Sequence, residues 1–205
     1  MYALLEQAEV APWVLHMPEG MDLTDDQFFE FCVLNRELLR IERTAEGEIL
    51  IMSPTGGRGS NQNLEISVQL YLWAKSDGTG VAFDSNGGFT LPNNAMRSPD
   101  AAWVARHRLA SFTEEEKEKF LPLCPDFVIE LRSRSDRLVD QKRKMEEYIS
   151  NGALLGWLIE PFERQVFVYR PGQPTQQLDH PSSIDAGPEL PGFVLDLTKI
   201  WEPDI

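Results

Sequence analysis

Cysteine, histidine and positive charge are scarce in this chain. There are two cysteines, Cys32 and Cys124, and three histidines, His16, His107 and His180, in 205 residues. The cysteines lie far apart, each in an apolar stretch, and read as reduced core thiols rather than a disulfide. No Cys/His cluster has zinc spacing, which excludes a structural zinc. Ser133 and Ser135 have no histidine nearby, so a serine-hydrolase triad is not expected. No apolar run reaches membrane-spanning length, and the opening "MYALLEQAEVAPW" lacks the basic and apolar regions of a secretion signal. A cytoplasmic location is expected. Nineteen Lys and Arg stand against thirty-three Asp and Glu, for a net charge of −14. That excludes a protein that coats nucleic acid by bulk electrostatics. It leaves room for an enzyme whose carboxylates hold a metal inside a locally positive groove. "PTGGRGS" and "GTGVAF" are glycine-rich but lack the lysine of a phosphate-binding loop.

Hydrophobic residues make up 42% of the chain, enough for a real core. There is no internal repeat and no low-complexity linker. Residues 1–205 read as one domain, with 1–20 as an N-terminal extension. Residues 21–37 read as a helix capped by Thr24. "LLRIERT" and "EILIMS" around "AEGE" read as a hairpin. Residues 54–60 read as a flexible connection. Residues 61–77 read as a long helix with Leu64, Val68, Tyr71, Leu72 and Lys75 along one side. Short strands follow, then an acidic helix over 113–120 capped by Thr113, then the strand "PDFVIELRS". A helix over 136–152 is expected to be capped by Asp136 and ended by Asn151-Gly152. "LLGWLIE" and "QVFVYRPG" make strands around the turn "PFER". The order predicts an α/β fold, a mixed central β-sheet flanked by helices.

The chemistry gathers around "PDFVIELRSRSD". Glu130 stands inside an apolar strand, and a buried carboxylate needs a partner or a cation. Positions i and i+4 on a strand lie about 13 Å apart, so Asp126 cannot share an ion with Glu130. Asp126 reads instead as shaping the start of the strand. Asp100 opens another strand, "SPDAAWV"; if the two strands are neighbours, Asp100 and Glu130 reach one cation. Two carboxylates plus water and phosphate oxygens suit Mg²⁺. On the following helix Leu138, Met145 and Ile149 form a narrow apolar stripe, with Tyr148 beside it and Lys144 on its border. Lys144 could aim its ammonium at the site, with Lys142 as second choice. Glu130 could instead pair with Arg132 alone.

"SPDAAWV", "PDFVIELRSRSD", "KMEEYISNGALLGWLIEP" and "VFVYRPG", in that order, resemble the Uma family of restriction-endonuclease-type proteins, a branch of the PD-(D/E)XK nuclease superfamily. The resemblance runs from roughly Asp22 to Leu197. It implies a restriction-endonuclease-like fold and metal-dependent hydrolysis of DNA phosphodiester bonds. It implies Asp100 and Glu130 as ligands of Mg²⁺, with Mn²⁺ as a substitute. Arg132 stands where the superfamily's lysine is expected; the family's migrated lysine matches Lys144. Glu65 matches a helix glutamate that often joins such sites. The family usually has Ser-Pro-Ser where this chain has Ser133-Arg134-Ser135. Arg132, Arg134 and Tyr148 are candidate substrate contacts. Over residues 130–144 six basic residues stand against three acidic ones, a local reversal of the overall sign. A homodimer would suit the cutting of two strands. The alternative is a nuclease-fold protein that no longer cleaves and acts as a binding or assembly module, favoured by the net charge and by Arg134.

Overall fold

The computed structural model describes residues 13–16, 23–35, 40–52 and 55–205. Most of the expected extension over 1–20 lies outside them. In chain order the elements are β1 (Trp13–Leu15), α1 (Asp25–Asn35), β2 (Arg40–Arg43), β3 (Ile49–Met52), α2 (Gly57–Asp77), β4 (Gly80–Asp84), β5 (Phe89–Thr90) and β6 (Met96–Arg97). There follow β7 (Ala101–Ala105), α3 (Arg106–Leu109), α4 (Glu114–Lys117), β8 (Phe127–Leu131), α5 (Leu138–Ser150), β9 (Leu155–Glu160) and β10 (Gln165–Tyr169). The chain closes with β11 (Gln176–Asp179), β12 (Ser183–Asp185), β13 (Val194–Asp196) and α6 (Thr198–Trp201).

The central sheet has the order β11-β10-β9-β8-β7-β4. It is mixed, as expected: β8 and β9 run parallel, and their neighbours run antiparallel. The parallel pair needs a crossover, and α5 supplies it. Side chains alternate across a strand. On β8, Phe127, Ile129 and Leu131 join one core with Ile66, Leu70 and Ala74 of α2. Val128 joins the opposite core, with Met145 and Tyr148 of α5. Glu130, two residues on, shares the α5 side. Gly156 of β9 lets α5 lie close: a Cβ there would fall 2.5 Å from Met145 Cε and 3.4 Å from Val128.

The hairpin β2–β3 joins a second sheet, order β1-β3-β2-β6-β5. The sequence reading had not separated this sheet from the first. Phe28 of α1 packs on it with Ile41, Ile49 and Met96.

Several local expectations hold. Thr24 and Gln27 exchange a capping box at 3.0 and 3.3 Å. Thr113 caps α4 in the same way with Glu116. Gly47 takes φ +86° in the β2–β3 turn, and Gly152 takes φ +109° after α5. Both cysteines are free. Asp126 does shape the start of β8, accepting from Ala105 N at 2.8 Å and from Arg108 at 2.7 Å.

Three expectations are corrected. Asp136 does not cap α5: Arg137 is the N-cap residue, and Asp136 instead accepts from Ser133 N at 2.7 Å, closing the turn before the helix. The connection expected over 54–60 is helical from Gly57 on. The face assigned to α2 is the wrong one. Gln62, Ile66, Leu70 and Ala74 are buried, whereas Leu64, Val68, Tyr71 and Leu72 are exposed. The outward row carries the larger apolar residues, and the inward row admits a polar one because Gln62 Nε2 donates to Ile200 O at 2.6 Å.

Candidate active site

Asp100 and Glu130 meet through strand register. Ala101 lies opposite Ile129 in the β7–β8 ladder, so one step further Asp100 comes opposite Glu130. The Leu131 N–H donates to Asp100 Oδ2 at 2.9 Å and fixes that carboxylate. Asn63 of α2 donates from Nδ2 to Asp100 Oδ1 at 3.2 Å, and the Arg40 guanidinium lies 3.7 Å from the same oxygen. Both carboxylates are buried.

Lys144 is the lysine that reaches Glu130. Its Nζ lies 2.8 Å from Glu130 Oε1 and 2.9 Å from Glu42 Oε1. Lys142, the second choice, sits 4.0 Å from the centre of the Phe167 ring. Tyr148, one turn beyond Lys144, donates its hydroxyl to Glu130 Oε1 at 2.9 Å. Both contacts to Glu130 therefore fall on one oxygen, Oε1.

Glu42 comes from the second sheet. Arg43 lies opposite Met96, so Glu42 comes opposite Arg97, and the two pair at 3.2 Å. The Ser98 N–H donates to Glu42 Oε1 at 3.1 Å. Arg97 also holds Glu147 of α5 at 2.6 Å.

These surroundings pull the acids apart. Burial pushes Glu130 up to about 7; Lys144 opposes this, and the charges of Asp100 and Glu42 add to it. Burial also raises Asp100, with Arg40 and the Leu131 N–H pulling the other way. Burial works against the charge of Glu42 too, but Lys144 and Arg97 outweigh it and hold Glu42 down at about 2. Burial would discharge Lys144, yet Glu130 and Glu42 keep its ammonium above the ordinary lysine range.

The other predicted residues are placed differently. Glu65 accepts from Gln69 at 2.9 Å. It lies two residues beyond Asn63, about 200° around the helix, and so turns away from Asp100. The structure thus sets Asn63, not Glu65, beside the carboxylates. Tyr148 is fully buried and donates its hydroxyl to Glu130, which corrects its reading as a substrate contact. Arg132 does not pair with Glu130 alone, as one reading had it; it meets Glu160 at 2.6 Å and donates to Asp136 O at 3.0 Å. Arg134 is exposed, 4.9 Å from the centre of the Phe162 ring.

Sequence reasoning missed Glu42, Arg97, Asn63, Arg40 and Glu147. For Arg40 and Glu42 the visible signal was "RIER", three charges in a four-residue strand, which reads equally as an exposed edge; Asn63, Arg97 and Glu147 gave none.

The residues present fit a hard divalent cation. Asp100, Glu130, Glu42 and Glu147 are balanced by only Arg40, Arg97 and Lys144. Asn63 Oδ1, on the amide that touches Asp100, is buried without a hydrogen-bond partner, as is Arg40 Nε. All the available donors are oxygens, the set that Mg²⁺ takes. Among the described residues no group of three His, Cys, Asp or Glu is placed to hold an ion. The protein would therefore supply two carboxylates, with water and phosphate oxygens completing the shell.

A family model described as "Uma2: Putative restriction endonuclease" matches residues 25–198. The chain belongs to the Uma2 family. Among solved structures it is similar to a protein described as "a putative nuclease belonging to DUF820 from Anabaena variabilis ATCC 29413". That likeness has a TM-score of 0.70 at 23% identity and covers 87% of this chain and 97% of the other. At this identity it shows the fold, which is nuclease-like. A comparison with curated proteins finds no match.

Proposed function

We propose that this Uma2 protein is a Mg²⁺-dependent endonuclease that hydrolyses phosphodiester bonds in DNA. The observation that carries the reading is the convergence of Asp100, Glu130 and Lys144 at the joint of the two sheets, with a lysine ammonium 2.8 Å from a buried carboxylate. Asp100 and Glu130 hold the cation, which when bound polarises a phosphoryl oxygen and acidifies water. Asp100 is oriented for this by the Leu131 N–H, and Glu130 by the Tyr148 hydroxyl. Hydrolysis joins a water oxygen to phosphorus and breaks one P–O ester bond; the departing oxygen takes a proton. Charge grows on the phosphoryl oxygens in between, and the Lys144 ammonium stabilises it or orients the attacking water. Arg134, exposed beside the Phe162 ring, is the guanidinium that meets a neighbouring phosphate in this scheme. Mn²⁺ can replace Mg²⁺ in this scheme. A homodimer that offers one site to each strand, and a cytoplasmic location, belong to the same reading.

The test is supercoiled plasmid with Mg²⁺ or Mn²⁺, beside Asp100→Asn and Glu130→Gln. Nicking or linearisation by the wild type and loss in both variants is the expected result. No cleavage, together with no heat of Mn²⁺ binding by calorimetry, would leave the binding or assembly module as the function.

A further inference from the structure

The Lys144 ammonium sits in a fork whose two arms belong to different sheets. Glu130 is the arm that faces the proposed cation, and Glu42 is the other. The two arms are not equivalent. Glu42 has both oxygens committed: Oε1 to Ser98 N at 3.1 Å and to Lys144, Oε2 to Arg97 at 3.2 Å. Arg97 in turn grips Glu147, which lies on α5 three residues after Lys144 and so on the same helix face. Lys144, Glu42, Arg97 and Glu147 thus close a ring that begins and ends on one helix. The ring is electrically neutral and its carboxylates are paired, which is the condition for burying charge without a large penalty. Glu130 stands outside it, joined only through Lys144.

We propose that Glu42 is a positioning residue for Lys144, holding the ammonium at the site independently of Glu130. The proposal rests on the role given to Lys144 above. Its chemical sense is clear. A carboxylate that hands its charge to a cation holds a lysine less tightly. A lysine that must stay beside the phosphoryl oxygens then needs a second anion that does not bind the metal. Glu42 meets that need because its own partners immobilise it and keep it charged.

The direct test is the ¹⁵N signal of the Lys144 ammonium in metal-free protein, assigned by its loss in Lys144→Met. An ammonium fixed between carboxylates exchanges its protons slowly enough to be seen. The signal should persist in Glu130→Gln, where Glu42 alone holds the ammonium, and vanish when Glu42→Gln is added to Glu130→Gln. Loss in Glu130→Gln, or persistence in the double variant, overturns the proposal. Should Glu42→Gln fail to fold, Glu42→Asp in the Glu130→Gln background keeps the charge but withdraws it by one methylene, and the same loss of signal is expected. Neither arm needs catalytic activity, so a protein that cuts nothing would refute the proposed function and still decide the role of Glu42.

In an active enzyme, Glu42→Gln should lower kcat by about 10²-fold with KM unchanged. It should add nothing further to Lys144→Met, because both remove the same placed ammonium. Multiplying effects would overturn the proposal. So would loss of Mn²⁺ binding in Glu42→Gln, since Glu42 would then be a ligand.

Discussion

Glu130 and Glu42 flank one ammonium, yet their surroundings drive them in opposite directions. Glu42 has three donors and is held down at about 2. Its contribution to stability is present above the ordinary glutamate value and is lost as pH falls from about 4.5 towards about 2. Glu130 is raised to about 7, so the folded protein favours its protonated form. That contribution is complete below about 4.5 and is lost as pH rises through about 7. In chelator, the melting temperature should therefore fall between pH 5 and pH 8, and Glu130→Gln should remove most of that fall. A cation competes with the proton, so saturating Mg²⁺ should raise the melting temperature more at pH 8 than at pH 5.5, and not in Glu130→Gln. Parallel pH profiles for wild type and variant would refute this account.

At the scale of elements, α2 shows how a face is chosen. Its inward row, Gln62, Ile66, Leu70 and Ala74, runs at strict i+4 spacing and meets the sheet. Small Ala74 allows close approach, and Gln62 brings its own partner. The outward row, with Leu64, Val68, Tyr71 and Leu72, is more apolar but has no sheet beneath it. Leu70→Ala should destabilise the protein by about 2–5 kcal/mol in urea unfolding. Leu72→Ala should change it by less than about 0.5 kcal/mol. Equal losses would mean that both rows are covered. On the other side of the sheet, Gly156 brings α5 down, and α5 delivers Lys144, Glu147 and Tyr148 from a single face.

For the whole molecule the decisive feature is the joint between the two sheets. The chain passes from β6 through Ser98 and Pro99 to Asp100 and β7. Every charged group of the site is therefore gathered where one sheet hands over to the other. Arg97 ties Glu42 of one sheet to Glu147 of the helix on the other, and its side chain is only 10% exposed. Arg97→Met leaves two carboxylates with no guanidinium between them. Its cost should be about 3–5 kcal/mol, the range for breaking a buried pair. Lys199→Ala removes an exposed pair with Asp204 and should cost no more than about 1 kcal/mol. Similar midpoints in a urea titration of the two variants would show that the joint does not hold the sheets together.

Local pattern was enough for much of this. The caps at Thr24 and Thr113, the turn at Gly47 and the stop at Gly152 follow from residue chemistry within a few positions. So did the choice of Asp100, Glu130 and Lys144, where ordered motifs carried the family resemblance and a carboxylate in an apolar strand marked the spot. What needed the tertiary structure depended on distant partners. Glu42 comes to Lys144 across 102 residues of chain. Asn63, rather than Glu65, meets Asp100 because of the rotation at which α2 lands on the sheet. Arg132 meets Glu160 because β8 and β9 run parallel in one register. Sequence periodicity states which residues share a face; which face is buried, and which charges meet there, is settled only when sheet and helix dock.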